Sequence, residues 1–328
     1  MKSFFKIIAY LLLTILVIAG GLILYVKTML PDVGKAPDHK IEVTQELIAR
    51  GSYLANSVNV CMDCHSTRDW GKFSGPLKQG TLGVGGEVFN QDFGFPGEYH
   101  SKNITPFALQ NWTDGEIYRA ITSGVNKDGK PLFPVMPYKK YGQMADEDVY
   151  AVIAYIRSLE PMESHPKKSS SDFPMNIIIN TIPSPGNPQE RPDKSDVLAY
   201  GAYLTNAAAC GDCHTPMDKG NPIPGLEFAG GFEFKMPPFG IVRSANITPH
   251  PTSGIGNWSE EMFVLRFKTY ADSSYVPHEV SESQFQTVMP WMMYSTMEEE
   301  DLKAIFAYLK TLKPIENKVR IFTSQKDL

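Results

Sequence analysis

The sequence has few cysteines and no large excess of charge of either sign. Its 328 residues include only 4 cysteines, and its formal net charge is −5. A small negative charge combined with 42% hydrophobic residues excludes the composition of a disordered chain and argues against nucleic-acid binding, which favours basic surfaces. The 26 glycines and 25 prolines predict many turns between short elements. At this length the chain can form two domains of ordinary size.

Charged residues are also missing from one long segment near the N-terminus. Residues 7–26 carry no charge, and an uncharged apolar run of this length can cross a hydrocarbon core as a helix. A secretory signal typically has a shorter apolar region followed by a small-x-small cleavage site. We therefore expect residues 1–43 to form an uncleaved membrane anchor and a short polar tether. Lys2 and Lys6 favour an N-terminus on the cytoplasmic side.

The rest of the chain contains the same short blocks twice, in the same order. The matching pairs are RGSYLANSVNVCMDCHS (50–66) with YGAYLTNAAACGDCHT (200–215), SKNITP (101–106) with SANITP (244–249), Asn111-Trp112 with Asn257-Trp258, VMPY (135–138) with VMPW (288–291), and DVYAVIAYIRSLEP (148–161) with DLKAIFAYLKTLKP (301–314). Blocks that recur in one order indicate a tandem duplication. We expect a first module at residues 44–161, a linker rich in Pro, Ser and Lys at 162–194, a second module at 195–316 and a tail at 317–328.

Helical patterns occupy the two ends of each module. The predicted helices are residues 45–56 and 149–159 in the first module, and 196–206 and 302–312 in the second. Thr44 and Ser195 are the expected N-caps of the opening helices. Pro161 and Pro314 follow the closing helices, whose apolar residues recur at helical spacing.

The segments between these helices are rich in glycine and proline, so we expect loops there. At most they hold a short hairpin near residues 86–89 and 231–234. The three-isoleucine run in the linker is too short to span a membrane, and we expect it to pack against one module. The predicted fold class is all-α: two tandem modules with loop-rich interiors, preceded by one transmembrane helix.

All four cysteines lie in two copies of the motif C-x-x-C-H. The copies are Cys61, Cys64 and His65, and Cys210, Cys213 and His214. A zinc site needs four ligands, and a redox dithiol would accompany a βαβ pattern that is absent here. C-x-x-C-H is the attachment signature of c-type haem, in which both thiols bond to the haem and the histidine binds its iron. We therefore predict two covalently attached haem c groups.

Two methionines are candidates for the opposite face of each iron. Met136 and Met289 hold equivalent places, each within V-M-P, before the closing helix of its module. A methionine is usually core filler, and the chain has 14 of them. The equivalence of these two favours axial ligation instead. Met/His ligation raises the reduction potential and suits an electron carrier.

These blocks resemble the class I cytochrome c modules in the cytochrome subunits of bacterial alcohol, aldehyde and gluconate dehydrogenases. The second module is the more similar, because T-S-G-I-G-N-W (252–258) is intact, whereas the first lacks the Gly-Ile-Gly insertion. The resemblance implies three such modules and a C-terminal membrane segment in the subunits of that family. This sequence differs from them, because it has two modules and an N-terminal apolar run. The resemblance implies an electron-transfer protein, and it leaves the electron donor open.

We therefore predict a membrane-anchored dihaem c-type cytochrome and no catalytic residues. It would pass single electrons from a dehydrogenase or membrane donor to a respiratory acceptor, with its modules on the periplasmic face of the cytoplasmic membrane. Its expected partners are redox proteins and, through residues 7–26, the membrane, with no nucleic acid. The alternative is a dihaem enzyme such as a cytochrome c peroxidase, which requires an iron with an open or displaceable sixth position.

Other equivalent residues have less definite roles. Trp112 and Trp258 either pack on a haem edge or are core tryptophans. Arg119 and Arg266 are candidates for neutralising haem propionates, although they are one residue out of register relative to the tryptophans. Two N-x-T turns, one in each module, either line the haem edge or hold a loop.

Overall fold

The computed structural model describes all 328 residues. Its helices are α1 (Lys2–Met29), α2 (Gln45–Tyr53), α3 (Cys61–Cys64), α4 (Pro106–Leu109), α5 (Asp114–Ser123), α6 (Tyr138–Tyr141), α7 (Asp146–Ser158), α8 (Met175–Ile178), α9 (Val197–Ala207), α10 (Cys210–His214), α11 (Glu260–Lys268), α12 (Trp291–Tyr294) and α13 (Glu299–Thr311). Its strands are β1 (Val88–Phe89), β2 (Gly97–His100), β3 (Ser170–Ser171), β4 (Met217–Asp218), β5 (Asn221–Pro222), β6 (Glu233–Met236), β7 (Gly240–Arg243) and β8 (Phe322–Ser324).

The expectation of an all-α chain is not confirmed. Helices account for 40% of the residues, and the loop regions contain three small antiparallel sheets. The hairpins β1–β2 and β6–β7 lie close to the positions expected for them. Each gains a third strand, because β3 from the linker pairs with β2 and β8 from the tail pairs with β7. Sequence periodicity does not reveal such short strands, since their pairing depends on distant partners.

The closing and opening helices of each module pack at very close range. α2 contacts α7, and α9 contacts α13. A Cβ atom added to Gly51 would lie 1.8 Å from the carbonyl oxygen of Ala151, and one added to Gly201 would lie 2.0 Å from that of Ala304. Only glycine permits this approach of two backbones. Both helix crossings therefore depend on the glycine that the two blocks share.

The opening helices begin and end in slightly different ways. Thr44 caps α2 as expected, with its hydroxyl accepting from the Leu47 N–H at 3.2 Å. The expectation for Ser195 is wrong, because the carboxylate of Asp196 caps α9 instead. Between its glycine and its first cysteine, the first module has one residue more than the second. This segment of the first module forms a π-helical turn at Leu54–Val58 after α2, whereas α9 of the second module continues as a regular helix to Ala207.

The main hydrophobic core combines residues of both predicted modules. It contains 31 buried side chains, drawn from the turn that follows α2, from α7, α9 and α13, and from the segments around them. A smaller cluster of five buried residues joins Phe73 of the first module to residues 236–280 of the second. The helices of one module are therefore packed directly on those of the other.

α1 extends away from this core. None of its residues is buried, and its most apolar window has a mean hydropathy of 2.8. The helix is long and apolar enough to cross a membrane, although a signal sequence would share that length and composition. The isoleucine run of the linker forms α8 and the 3₁₀ turn after it, and these contact α1.

Candidate haem sites

Both C-x-x-C-H motifs form short helices that begin in the same unusual way. Val60 before α3 has a φ of 47°, and Ala209 before α10 has a φ of 52°. Left-handed backbone at a non-glycine residue is strained, and it is often retained at functional sites. Burial raises the pKa of the Cys61 and Cys210 thiols to about 12. These are not the low-pKa thiolates of a redox dithiol.

The two motif histidines are held by equivalent hydrogen bonds. The Nδ1 atom of His65 lies 2.7 Å from the carbonyl oxygen of Lys102, and that of His214 lies 2.7 Å from the carbonyl oxygen of Ala245. A carbonyl only accepts, so Nδ1 carries the proton and Nε2 keeps its lone pair. Burial lowers the pKa of both histidines, which keeps them neutral. Each histidine is thereby prepared to bind a metal through Nε2.

The carbonyls that hold these histidines come directly before the two N-I-T-P turns. In the first turn, Asn103 Oδ1 accepts from both the N–H and the hydroxyl of Thr105, each at 2.8 Å. Asn246 and Thr248 repeat this arrangement at 2.9 and 2.7 Å. The asparagine amides also donate at 2.8 Å to backbone carbonyls that follow the closing helices. These residues therefore hold the turn that orients each histidine.

Met136 and Met289 lie just before α6 and α12. Both side chains are partly buried against the main core, as are Cys61 and Cys210. Their backbone contacts differ. The Met136 N–H donates to the Phe133 carbonyl at a long 3.4 Å, whereas Met289 donates to Thr287 Oγ1 at 3.0 Å and its carbonyl accepts from Ser74 Oγ at 2.6 Å.

The donor atoms in each module fit a c-type haem. They comprise two thiols, a neutral imidazole and a thioether, which is the set that attaches a haem and fills both axial positions of its iron. No three His, Cys, Asp or Glu side chains are grouped so as to hold a metal ion by themselves. The motifs therefore fit haem attachment better than a structural zinc site, which needs four protein ligands.

Four further residues singled out in the sequence have unlike surroundings. Trp112 and Trp258 both pack partly buried against the main core. Arg119 donates to the backbone carbonyls of residues 126 and 127, and its buried Nε has no partner. Arg266 instead lies over the ring of Trp291, 4.1 Å from its centroid. The two arginines are therefore not equivalent in space.

Sequence reasoning missed a polar cluster beside the first motif. Asp63, between the two cysteines of that motif, accepts from Arg68 at 2.6 Å, and both side chains are buried. Burial raises the pKa of Asp63 to about 6, although the Arg68 charge opposes this. Arg68 holds the loop that carries Ser74, the residue bonded to Met289. This loop has no counterpart among the repeated blocks, so no repeat signal marked it.

Residues 198–313 match the cytochrome c family. The cytochrome c subunit of the quinone alcohol dehydrogenase of Komagataeibacter europaeus is 28% identical over 284 residues, which are 82% of this chain and 56% of that subunit. The gluconate 2-dehydrogenase cytochrome c subunit of Pantoea cypripedii is 26% identical over 86% of this chain and 63% of its own length. A diheme cytochrome c-type protein of Cereibacter sphaeroides is 27% identical over 78% of this chain and 83% of its own. The chain thus spans little more than half of the alcohol dehydrogenase subunit.

Proposed function

We propose that the chain is a dihaem electron carrier. The match of residues 198–313 to the cytochrome c family and the resemblance to the cytochrome c subunits of dehydrogenases support this proposal. Each module would hold one covalently attached haem c, through Cys61 and Cys64 in the first and through Cys210 and Cys213 in the second. The histidine that follows each pair would bind the iron from one side.

The main support for two haems is that the histidines of both motifs make equivalent hydrogen bonds to backbone carbonyls. The family match covers only the second motif, but His65 and His214 meet carbonyls at the same place in their repeated blocks and at the same 2.7 Å. The left-handed residue before each first cysteine is likewise shared. These features support equal roles for the two motifs.

Beyond attaching the haem, the chain would supply the second ligand of each iron and keep water away from it. When bound, haem c supplies an iron that exchanges one electron. Met136 in the first module and Met289 in the second would each hold an iron from the side opposite its histidine, where a thioether would favour the reduced iron and a high potential. An iron held from both sides would have no open site for a substrate, which would suit an electron carrier better than a peroxidase. The apolar core beside each motif would limit access of water.

Partners and location follow from the relatives and from α1. Those relatives are named as subunits of alcohol and gluconate dehydrogenases, which supports a dehydrogenase as the electron donor. The acceptor would be a respiratory component. We place α1 across the cytoplasmic membrane and the modules on its periplasmic face. A tethered carrier of this kind would receive electrons at the membrane surface and pass them on there.

Mass and optical spectra of the purified full chain test this function. We expect two covalently bound haems that survive acid-acetone extraction, and the weak sulfur-to-iron absorption band of methionine-ligated ferric haem. Cys61→Ala combined with Cys64→Ala should remove one haem, and the matched pair Cys210→Ala with Cys213→Ala should remove the other. The wild type should not bind carbon monoxide when reduced. One haem, or one high-spin iron with rapid peroxide turnover, would contradict the proposal and favour an enzyme.

A further inference from the structure

A loop of the first module contacts the segment of the second module that carries Met289. The Ser74 hydroxyl donates to the Met289 carbonyl at 2.6 Å and accepts from the Trp291 N–H at 3.2 Å. The two ends of this contact are 215 residues apart in sequence. The backbone from the carbonyl of the predicted axial methionine to the N–H two residues after it is therefore tied to one side chain of the other module.

A buried glutamine completes this contact. Gln286 Oε1 accepts from the Ser74 N–H at 2.8 Å, and its Nε2 donates to the carbonyls of Trp70 and Lys72 at 3.0 and 2.9 Å. Gln286 is 0% exposed and Ser74 is 1% exposed. Buried polar groups that satisfy one another in this way specify a single geometry, because breaking one bond leaves an unpaired group in a low-dielectric site.

The loop itself is rigidly held. The guanidinium of Arg68 donates to the carbonyls of Ser74 and Gly75 at 2.7 and 2.8 Å, and it lies over the ring of Trp70 at 4.0 Å. The same guanidinium is paired with Asp63 inside the first C-x-x-C-H motif. Ser74 has a φ of 62°, a strained conformation for serine. That strain is maintained because the surrounding bonds fix the backbone.

Met136 of the first module has no matching support from the second module. Its own N–H makes only the long bond to Phe133. The nearest polar contacts that cross between the modules are at Lys140, whose carbonyl accepts from Asn206 at 3.1 Å and whose ammonium lies 3.5 Å from Asp212. These contacts are four residues beyond the methionine. The two predicted axial ligands therefore differ in how they are held.

We propose that Ser74 and Gln286 are positioning residues for Met289, so that the first module sets how firmly the second haem keeps its axial methionine. The inference rests on the proposed ligation of that haem by Met289. Hydrogen bonds outside the ligand shell orient the ligands themselves and tune metal affinity. Without the Ser74 hydroxyl, a competing ligand would displace the Met289 thioether from the iron more readily.

Imidazole titration of the ferric holoprotein tests this inference. The titration is followed by loss of the sulfur-to-iron band, in a full-length Met136→His background in which only the second haem retains methionine. Ser74→Ala and Ser74→Gly should each raise imidazole affinity about fivefold, the factor that corresponds to the net value of one hydrogen bond, about 1 kcal/mol. Glycine relieves the strain at a positive φ and alanine does not. An equal rise in imidazole affinity in both variants would therefore result from loss of the hydroxyl.

Two controls separate this role from general loosening of the protein. Ser283 has the same φ of 62° and lies outside the Ser74 network, so Ser283→Ala should leave imidazole affinity unchanged. In a Met289→His background, Ser74→Ala should leave the first haem unaffected. The inference is overturned if the Ser74 variants bind imidazole like the parent protein, or if both haems respond equally. Absence of the sulfur band from the wild type would instead refute the proposed ligation itself.

Discussion

Tyr53 of the first module donates a hydrogen bond of 2.7 Å to Asp301 of the second. The equivalent tyrosine of the second module, Tyr203, donates at 2.7 Å to Asp148 of the first. Each tyrosine oxygen also accepts from a backbone N–H just before the closing helix of the other module. Tyr53 accepts from Glu298 at 3.1 Å, and Tyr203 accepts from Ala145 at 3.2 Å. The modules therefore pack through a reciprocal contact in which the opening helix of each module bonds the closing helix of the other.

The first prediction concerns the unequal support of the two carboxylates. Asp148 is also paired with Arg50 and Arg191 at 2.9 and 2.7 Å. Asp301 has a single cation, Lys194, 3.3 Å from its Oδ1, and a longer hydrogen bond of 3.4 Å from the Tyr200 hydroxyl. Tyr53→Phe and Tyr203→Phe should each lower the free energy of unfolding by about 1–3 kcal/mol, because each removes a bond to a buried charged group.

We expect Tyr53→Phe to be the more destabilising of the two substitutions. Denaturant unfolding of the holoprotein, followed by circular dichroism, gives both values. Tyr275, in a loop of the second module and outside this contact, provides the control, and Tyr275→Phe should have no effect. A larger loss for Tyr203→Phe would show that the arginines do not compensate at Asp148.

The second prediction is an acid-labile contribution from Asp148. Burial alone would raise the pKa of this carboxyl, but bonds and charge from Arg50, with Tyr203 and Arg191, hold it below its ordinary 3.8. A folded-state pKa below the unfolded value means that the stabilisation is complete above the unfolded value and is lost as the pH falls through the folded one. Stability should therefore decline as the pH drops below about 4.

Urea unfolding at about pH 7, 5 and 3 measures this decline. Asp148→Asn should be less stable than the wild type at neutral pH, and it should lose less stability between about pH 5 and 3. Equal losses in the two proteins over that interval would assign the acid sensitivity to other carboxyl groups.

The sequence pattern predicted those elements whose signals are local. The closing helices α7 and α13 follow their apolar spacing and acidic first turns, and the histidines and methionines lie in equivalent blocks. The third strands β3 and β8 depend on partners 70 residues or more away, which no local pattern encodes. The Ser74 contact with Met289 was likewise invisible, since it joins a unique loop to a repeated block. Long-range pairing of polar groups therefore required the structure.

The third prediction concerns the glycines at the two helix crossings. Gly51→Ala and Gly201→Ala would each place a methyl group about 2 Å from a backbone carbonyl, at 1.8 and 2.0 Å. The helices would have to separate, and overpacking of a core typically costs about 1–3 kcal/mol and occasionally more. We expect lower yields of fully haem-loaded protein and a lower free energy of unfolding for both.

Gly71→Ala serves as the matched control. An added Cβ there would meet only the flexible side chain of Asp69, at 3.3 Å, so yield and stability should stay near those of the wild type. Normal haem loading in Gly51→Ala would show that α2 and α7 can shift apart without disturbing the attachment motif that follows α2.

The last prediction is that α1 anchors the chain without contributing to the fold of the modules. No residue of α1 is buried, and it contacts the linker turns of α8 and the 3₁₀ turn that follows. The full chain should remain with membranes through high-salt and carbonate washes. Deletion of residues 1–29 behind a cleavable export signal should release a soluble protein with an unchanged absorption spectrum and an unchanged free energy of unfolding. Release of the full chain by carbonate would contradict the anchor, because an apolar helix that spans the bilayer is not extracted by salt or alkali. A native N-terminus near Leu22 would show instead that the segment is removed as a signal peptide.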